Sequence, residues 1–192
     1  MRISSEEDIK RMYQLRNECD AVLVGVETIL ADDPKLTVKE TYVPHPKQPL
    51  RIILDSKRRT PPHALALNDT AKTLIITEKG KEKPYPGSPV EVIGCPTDKQ
   101  GRIDLDCVLH LLYEKGVRKL LVEGGGTIIW SFLSQKVVDD LLIYIGPCVI
   151  GGKETPTVAE GEGIRNGEEK ICLKIVKVQR LGPGILIHYQ PA

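Results

Sequence analysis

Aromatic side chains are scarce in this chain of 192 residues, which has one Phe, one Trp and six Tyr, so it offers few platforms for stacking a planar ring. Excess charge is also lacking. Lys and Arg total 27 against 26 Asp and Glu, a formal net charge of +1 with no long basic stripe, which argues against a nucleic-acid partner. No apolar run reaches the roughly 18 residues that suggest a membrane span. The charged opening MRISSEEDIKRM lacks the hydrophobic region of a signal peptide. The five cysteines, Cys19, Cys95, Cys107, Cys148 and Cys172, are scattered, odd in number and contain no CxxC pair. That usage fits a reducing compartment, and a cytoplasmic location is expected. His45, His63, His110 and His188 show no metal-ligand spacing with the cysteines, so no metal is expected. A GxSxG elbow is likewise absent and no Ser or Cys nucleophile with a base can be assembled from spacing, which disfavours covalent catalysis; the glycine turn is neither a GxGxxG fingerprint nor a P-loop.

What is present is a regular alternation. ISSEED offers a capping box, Ser4 with Glu7 or Ser5 with Asp8, and Ile9, Met12 and Leu15 follow at helical spacing, predicting a helix over 5–18. DAVLVG (20–25), PLRIILD (49–55), KTLIIT (72–77), PVEVIG (89–94) and VRKLLVE (117–123) are short apolar runs that read as buried strands. DLDCVLHLLYEKG (104–116) and residues 127–134 read as helices. PHPKQP (44–49) and KGKEKPYPGSP (79–89) read as loops. A strand in VDDLLIYIGPCVIGG (138–152) and a polar segment, TPTVAEGEGIRNGEE, come next. ICLKIVKVQRL (171–181) and GILIHYQ (184–190) then flank an LGPG turn as an antiparallel hairpin. The expectation is an α/β protein whose mixed sheet is covered on both faces, with nothing demanding a second domain.

Chemistry concentrates where strands end. In LLVEGGGTIIWSFL (120–133), Gly124, Gly125 and Gly126 separate a buried strand from a helix. Glycines there let backbone N–H groups approach a phosphate, and a tight packing turn is the competing reading. Glu123 would repel a phosphate, so it either faces a neighbouring ligand or ends the strand as a solvated acid. In VGVETILADDPKLTVK (24–39), Thr28 can hydrogen-bond, while Asp32 and Asp33 read either as a cap and a solvated acid or as catalytic carboxylates. In LDSKRRTPP (54–62), Ser56, Lys57, Arg58 and Arg59 suit a phosphomonoester such as the 2′-phosphate of NADPH, or form a solvated basic loop. Arg16 on the first helix is open to the same two readings, and His110 reads as a packed or partly exposed helix residue.

Taken together and in order, ISSEEDIKRMYQLRNECDAVLVGVETILADDPKLTVK, PLRIILDS, LLVEGGGTIIWSFL and VDDLLIYIGPCVIGGKETPT resemble the reductase family of riboflavin biosynthesis, closest to its archaeal single-domain type. The resemblance implies a dihydrofolate-reductase-like, three-layer α/β/α fold with a central mixed sheet, one reductase domain over 1–192, NADPH as cofactor, and a homodimer. The implied reaction reduces the ribosylamino group of a phosphorylated diaminopyrimidinone to ribitylamino. It further implies Gly124, Gly125, Gly126 and Thr127 at the cofactor diphosphate, Ser56 and its basic neighbours at the adenosine side, Ile103 at the adenine, and Thr28 and Asp32 beside the cofactor. Asp32 also serves as the catalytic candidate. Arg16, Leu36, Lys39 and Glu123 fall at substrate positions, with Lys39 standing where arginine or histidine is frequent. Members of that family usually begin with a further apolar strand and an SxDGK-like segment, whereas this chain reads MRISSEED. A related dihydrofolate or pteridine reductase and a non-catalytic nucleotide-binding protein are the alternatives.

Overall fold

The computed structural model describes residues 3–85, 88–152, 155, 157–164 and 170–192. Met1 and Arg2 of the opening, Pro86 and Gly87 of the 79–89 loop, and Pro156 and residues 165–169 of the polar segment lie outside them. The elements alternate as the hydrophobic pattern requires: α1 (Glu6–Glu18), β1 (Ala21–Gly25), α2 (Val26–Asp32), β2 (Leu50–Leu54), a 3-10 turn (Leu65–Leu67), β3 (Thr73–Glu78), β4 (Glu91–Cys95), α3 (Leu105–Glu114), β5 (Leu120–Gly124), α4 (Gly126–Ser134), β6 (Leu141–Ile145), β7 (Leu173–Leu181) and β8 (Gly184–Pro191). They gather into two compact units, Tyr13–Gly125 and Met1–Met12 with Gly126–Ala192.

In the first unit, five strands form one sheet in the order β4-β3-β2-β1-β5, and every neighbouring pair is parallel. Parallel strands are buried on both faces, which is why β1 (AVLVG) is apolar throughout and fully buried. Val22, Val24, Ile53 and Ile75 from three strands join Ile29 of α2 and Leu67 in one core cluster. Each such side chain contributes about 1.5–3 kcal/mol on burial. Arg51 of β2 is the exception, fully buried in the sheet. It donates to the Asn68 side chain at 2.9 Å and to the carbonyls of Asn68, Ala71 and Lys35, and burial pushes its guanidinium down to about 10. One buried cation thereby ties the loop after α2 to the 3-10 turn region.

The α3 helix begins where Asp104 accepts from the N–H groups of Asp106 and Cys107, and Gly116, at φ +86°, lets the chain turn just beyond its last residues. At the head of α1, Ser5 accepts from Asp8 N at 3.3 Å, as one of the two predicted boxes requires. The Asp8 carboxylate pairs with Arg11 at 2.7 Å.

The second unit carries a three-stranded antiparallel sheet, β6-β8-β7, containing the predicted hairpin. The α/β class and the hairpin hold. The mixed sheet, however, resolves into a parallel and an antiparallel sheet among the described residues, because the C-terminal strands find all their backbone partners in one another. No described helix is long and apolar enough to cross a membrane.

Asp20 joins the start of β1 to the entry of β5. Its carboxylate accepts the backbone N–H groups of Arg118 and Lys119 and the Lys47 ammonium at 2.9–3.0 Å. The Lys47 hydrogen bond, then the two backbone ones, hold its carboxyl far below the usual range. A depressed folded-state pKa gives stability that is complete above the unfolded value of about 4 and is lost as pH falls below it. Asp20→Asn is expected to lower Tm by about 2–4 °C at neutral pH. In thermal melts from pH 7 to 3, that difference shrinks below about pH 4.

Candidate functional site

The parallel sheet decides where ligands can meet the backbone. From β1 the chain steps outward through β2 and β3 to β4, then returns so that β5 pairs with the opposite flank of β1. Such a reversal opens a crevice beyond the carboxyl ends of the two flanking strands. Because the strands are parallel, residues following β1, β2, β4 and β5 all emerge on one edge. Thr28 follows β1, Ser56 follows β2, Ile103 lies after β4, Gly124 ends β5 and Gly125 follows it.

Two predicted cofactor residues meet directly. A Cβ on the buried Gly124 would lie 3.0 Å from Thr28 Oγ1 and 3.3 Å from its Cγ2, so glycine lets α2 close against the end of β5. Gly125 adopts φ +78°, a conformation that costs any side-chain-bearing residue. The glycines therefore answer to both readings, a tight packing turn and a backbone exposed at a helix entrance. Gly126 and exposed Thr127 open α4 in the second unit. There the Glu160 side chain lies against Gly126, and Glu160 N donates to the Gly126 carbonyl at 3.0 Å. Sequence spacing held no signal for Glu160, which approaches from 34 residues downstream.

Glu123 is placed by a defect in pairing. Leu23 faces Val122 and Val24 faces Gly124, so the register shifts across Glu123. A bulge of this kind re-aims a side chain and is common beside sites. The Glu123 carboxylate receives Arg16 in a two-pronged pair, Nε to Oε1 at 2.7 Å and Nη2 to Oε2 at 2.6 Å, while Arg16 Nη1 donates to the Thr37 carbonyl at 3.1 Å. The side chains are 16% and 6% exposed. Burial opposes charge on Arg16, but the Glu123 hydrogen bond and charge outweigh it and raise its pKa. Arg16 was expected to meet substrate phosphate; in this chain its guanidinium is committed to Glu123.

Lys39 is exposed on a well-held loop. Its neighbour Val38 exchanges two backbone hydrogen bonds with the Gln48 amide, at 2.8 and 2.9 Å, and the turn Lys39–Val43 closes on the Lys39 carbonyl. Leu36 is 2% exposed and belongs to the core, so only its backbone, held at φ +52°, is available to a ligand. A left-handed leucine is strained, a cost that clusters at functional loops. Asp33 ends α2 at φ +41° and accepts Leu65 N at 2.7 Å, which makes it the structural member of the acidic pair. Asp32 stays exposed and forms no hydrogen bond or ion pair within the described residues.

The basic run divides as well. Asp55, fully buried, accepts Arg59 N, Thr60 N and Thr60 Oγ1 at 2.7–2.9 Å and so shapes the loop. Arg58 turns back over the Tyr85 ring and donates to the Lys81 and Lys83 carbonyls. Arg59 pairs with Glu27 at 2.6 Å. Half-buried Ser56 and exposed Lys57 remain for an incoming anion. No group of three or more candidate metal ligands occurs among the described residues.

The parallel sheet with its reversal, followed by the antiparallel hairpin sheet, defines an α/β architecture. The family model described as the RibD C-terminal domain matches residues 1–187, and the chain belongs to that family. It is 41% identical over 194 residues to the 2,5-diamino-6-ribosylamino-4(3H)-pyrimidinone 5′-phosphate reductase of Archaeoglobus fulgidus, covering 97% of this chain and 86% of that one. Identity to the enzyme of the same name from Methanothermobacter thermautotrophicus is 38%, with 97% and 87% coverage. The fold is shared with a crystal structure of a deaminase/reductase, a diaminohydroxyphosphoribosylaminopyrimidine deaminase/5-amino-6-(5-phosphoribosylamino)uracil reductase from Thermotoga maritima. The TM-score is 0.80 at 23% identity, covering 98% of this chain and 50% of that longer one.

Removing one member of the Arg16–Glu123 pair strands the other. Arg16→Met is expected to cost about 3 kcal/mol in urea unfolding, with part recovered in the Arg16→Met/Glu123→Gln double variant.

Proposed function

We propose that this chain is the NADPH-dependent reductase that converts the ribosylamino group of 2,5-diamino-6-ribosylamino-4(3H)-pyrimidinone 5′-phosphate to ribitylamino. The observation that carries the reading is the meeting of Thr28 with Gly124 at the reversal point of the parallel sheet, on the edge that also bears Ser56. Membership of the family and the names of the two archaeal relatives support the substrate.

The residues fit the cofactor. Gly124 lets Thr28 close on the strand end, Gly125 opens the turn, and exposed Lys57, beside the Ser56 hydroxyl, has no ion-pair partner among the described residues and can meet a phosphomonoester. In this reading the turn Gly124–Thr127 holds the diphosphate, Thr28 lies beside it, and Ile103 lines the adenine. NADPH, when bound, supplies the hydride for the sugar carbon.

The protein's own task is orientation and charge placement. Each Glu123 oxygen accepts one Arg16 bond and keeps another lone pair. The pair therefore presents a carboxylate of fixed direction to the amino groups of the pyrimidine or the hydroxyls of the sugar. Lys39 places an ammonium for the 5′-phosphate, and the Leu36 backbone borders the same loop. Asp32, exposed and with no ion pair among the described residues, provides polar support at the reacting end.

Two copies are inferred to associate. Val178, Ile143, Ile145, Ile185 and Ile187 share one face of the antiparallel sheet by register, and Val178, Ile145 and Ile185 are 45–56% exposed. Sedimentation should give a dimer mass, and Val178→Lys should shift it towards monomer.

Steady-state consumption of NADPH with the ribosylaminopyrimidinone phosphate, with the ribityl product confirmed by mass, tests the activity. Turnover is expected; turnover of dihydrofolate instead, or cofactor binding with no product, rejects it. Lys57→Ala should raise KM for NADPH about tenfold and leave KM for NADH unchanged.

A further inference from the structure

An aromatic pair that no sequence motif required sits among the candidate substrate residues. Tyr13 of α1 and Tyr42 stack with centroids 4.7 Å apart and planes 9° from parallel. The Tyr13 ring has Arg16 Cζ at 5.4 Å and Lys39 Nζ at 5.6 Å from its centroid. Two of the chain's eight aromatic residues are thus gathered at one point, with two cations around one ring.

The cations differ in what they can still do. Arg16 is neutralised by Glu123, and three of its five N–H donors are held by Glu123 and the Thr37 carbonyl. Lys39 has no carboxylate partner among the described residues, so the local excess of positive charge resides on its ammonium. A lysine on an exposed loop is otherwise free to sample many rotamers. A carboxylate could hold it still, but would cancel the charge and occupy N–H donors. A ring face attracts the ammonium through its quadrupole and leaves all three donors unspent.

We propose that Tyr13, backed by Tyr42, is a positioning residue that holds the Lys39 ammonium, charged and with its donors free, for the phosphate end of the substrate. The inference rests on the proposed reductase reading and adds to it the device that compensates for a lysine, whose point charge lacks an arginine's planar fork. It also explains why Val38 is clamped to Gln48. The loop backbone is set by that amide, and the side chain is set by the ring.

The test compares binding of the ribosylaminopyrimidinone in its 5′-phosphorylated and dephosphorylated forms by titration calorimetry, alongside steady-state kinetics with the phosphorylated form. Tyr13→Leu is expected to raise Kd and KM for the phosphorylated form about three- to tenfold, with kcat within about twofold and binding of the dephosphorylated form unchanged. Tyr13→Phe keeps the ring and should restore wild-type values. In a Lys39→Ala background, Tyr13→Leu should add nothing. Tyr42→Leu, which leaves α1 intact, should shift Kd in the same direction and decides the matter if Tyr13→Leu does not fold. Equal weakening of both forms, or a full additional loss in the Lys39→Ala background, overturns the inference. A wild-type protein that turns the substrate over, with Tyr13→Leu unchanged, overturns it alone. A wild-type protein with neither turnover nor preference for the phosphorylated form overturns the reductase reading and this inference together.

Discussion

The return of β5 to the free flank of β1, with one residue more than the register accommodates, is the constraint on which the site depends. The parallel ladder matches β5 to β1 up to Val122 and resumes at Gly124, leaving Glu123 across the shift. A carboxylate placed there is largely withdrawn from water and needs a partner. Arg16 provides it from α1 while also bonding to the Thr37 carbonyl. One pairing irregularity thus binds together a helix, a strand end and the loop that carries Leu36 and Lys39. The same strand ends at Gly124, whose missing side chain admits Thr28, so the bulge and the glycine contact are adjacent consequences of one return path.

Charge in this unit is organised by commitment rather than by count. Arg16, Arg51, Arg58 and Arg59 all have protein partners: a carboxylate, a cage of carbonyls and an amide, an aromatic ring with two carbonyls, and Glu27. The guanidinium group, with its five directed donors, is suited to such multi-point fastening. Lys39 and Lys57 remain exposed on shaped loops, where a compact ammonium can meet an anion. Lys47, Lys81 and Lys115 are paired with carboxylates in the same unit, which sets Lys39 and Lys57 apart. The Tyr13–Tyr42 stack belongs to the same economy, since it restrains a cation without neutralising it.

Strand and helix identity was legible because it depends on local pattern. Five short valine-, isoleucine- and leucine-rich runs became the five parallel strands, with boundaries shifted by at most three residues, and the LGPG turn joined the antiparallel hairpin. The seven-residue α2 was not read, since its polar residues and brevity leave little periodicity. The division into parallel and antiparallel sheets was also out of reach, because it depends on pairings such as β1 with β5, 99 to 100 residues apart, and β6 with β8, 40 to 48 residues apart, which leave no local trace.

The sequence by itself determined the α/β alternation, the glycine turn and the strand-end positions of Thr28, Ser56, Glu123 and Gly124, since apolar periodicity and glycine's backbone freedom act over a few residues. Only the tertiary structure decided which charges are spent and which are free. That outcome depends on 107 residues of separation closing into one ion pair, on Leu36 turning inward at positive φ, and on Tyr42 arriving over Tyr13. Electrostatic roles are set by distance and burial in three dimensions, and neither quantity is encoded in the spacing of residues along the chain.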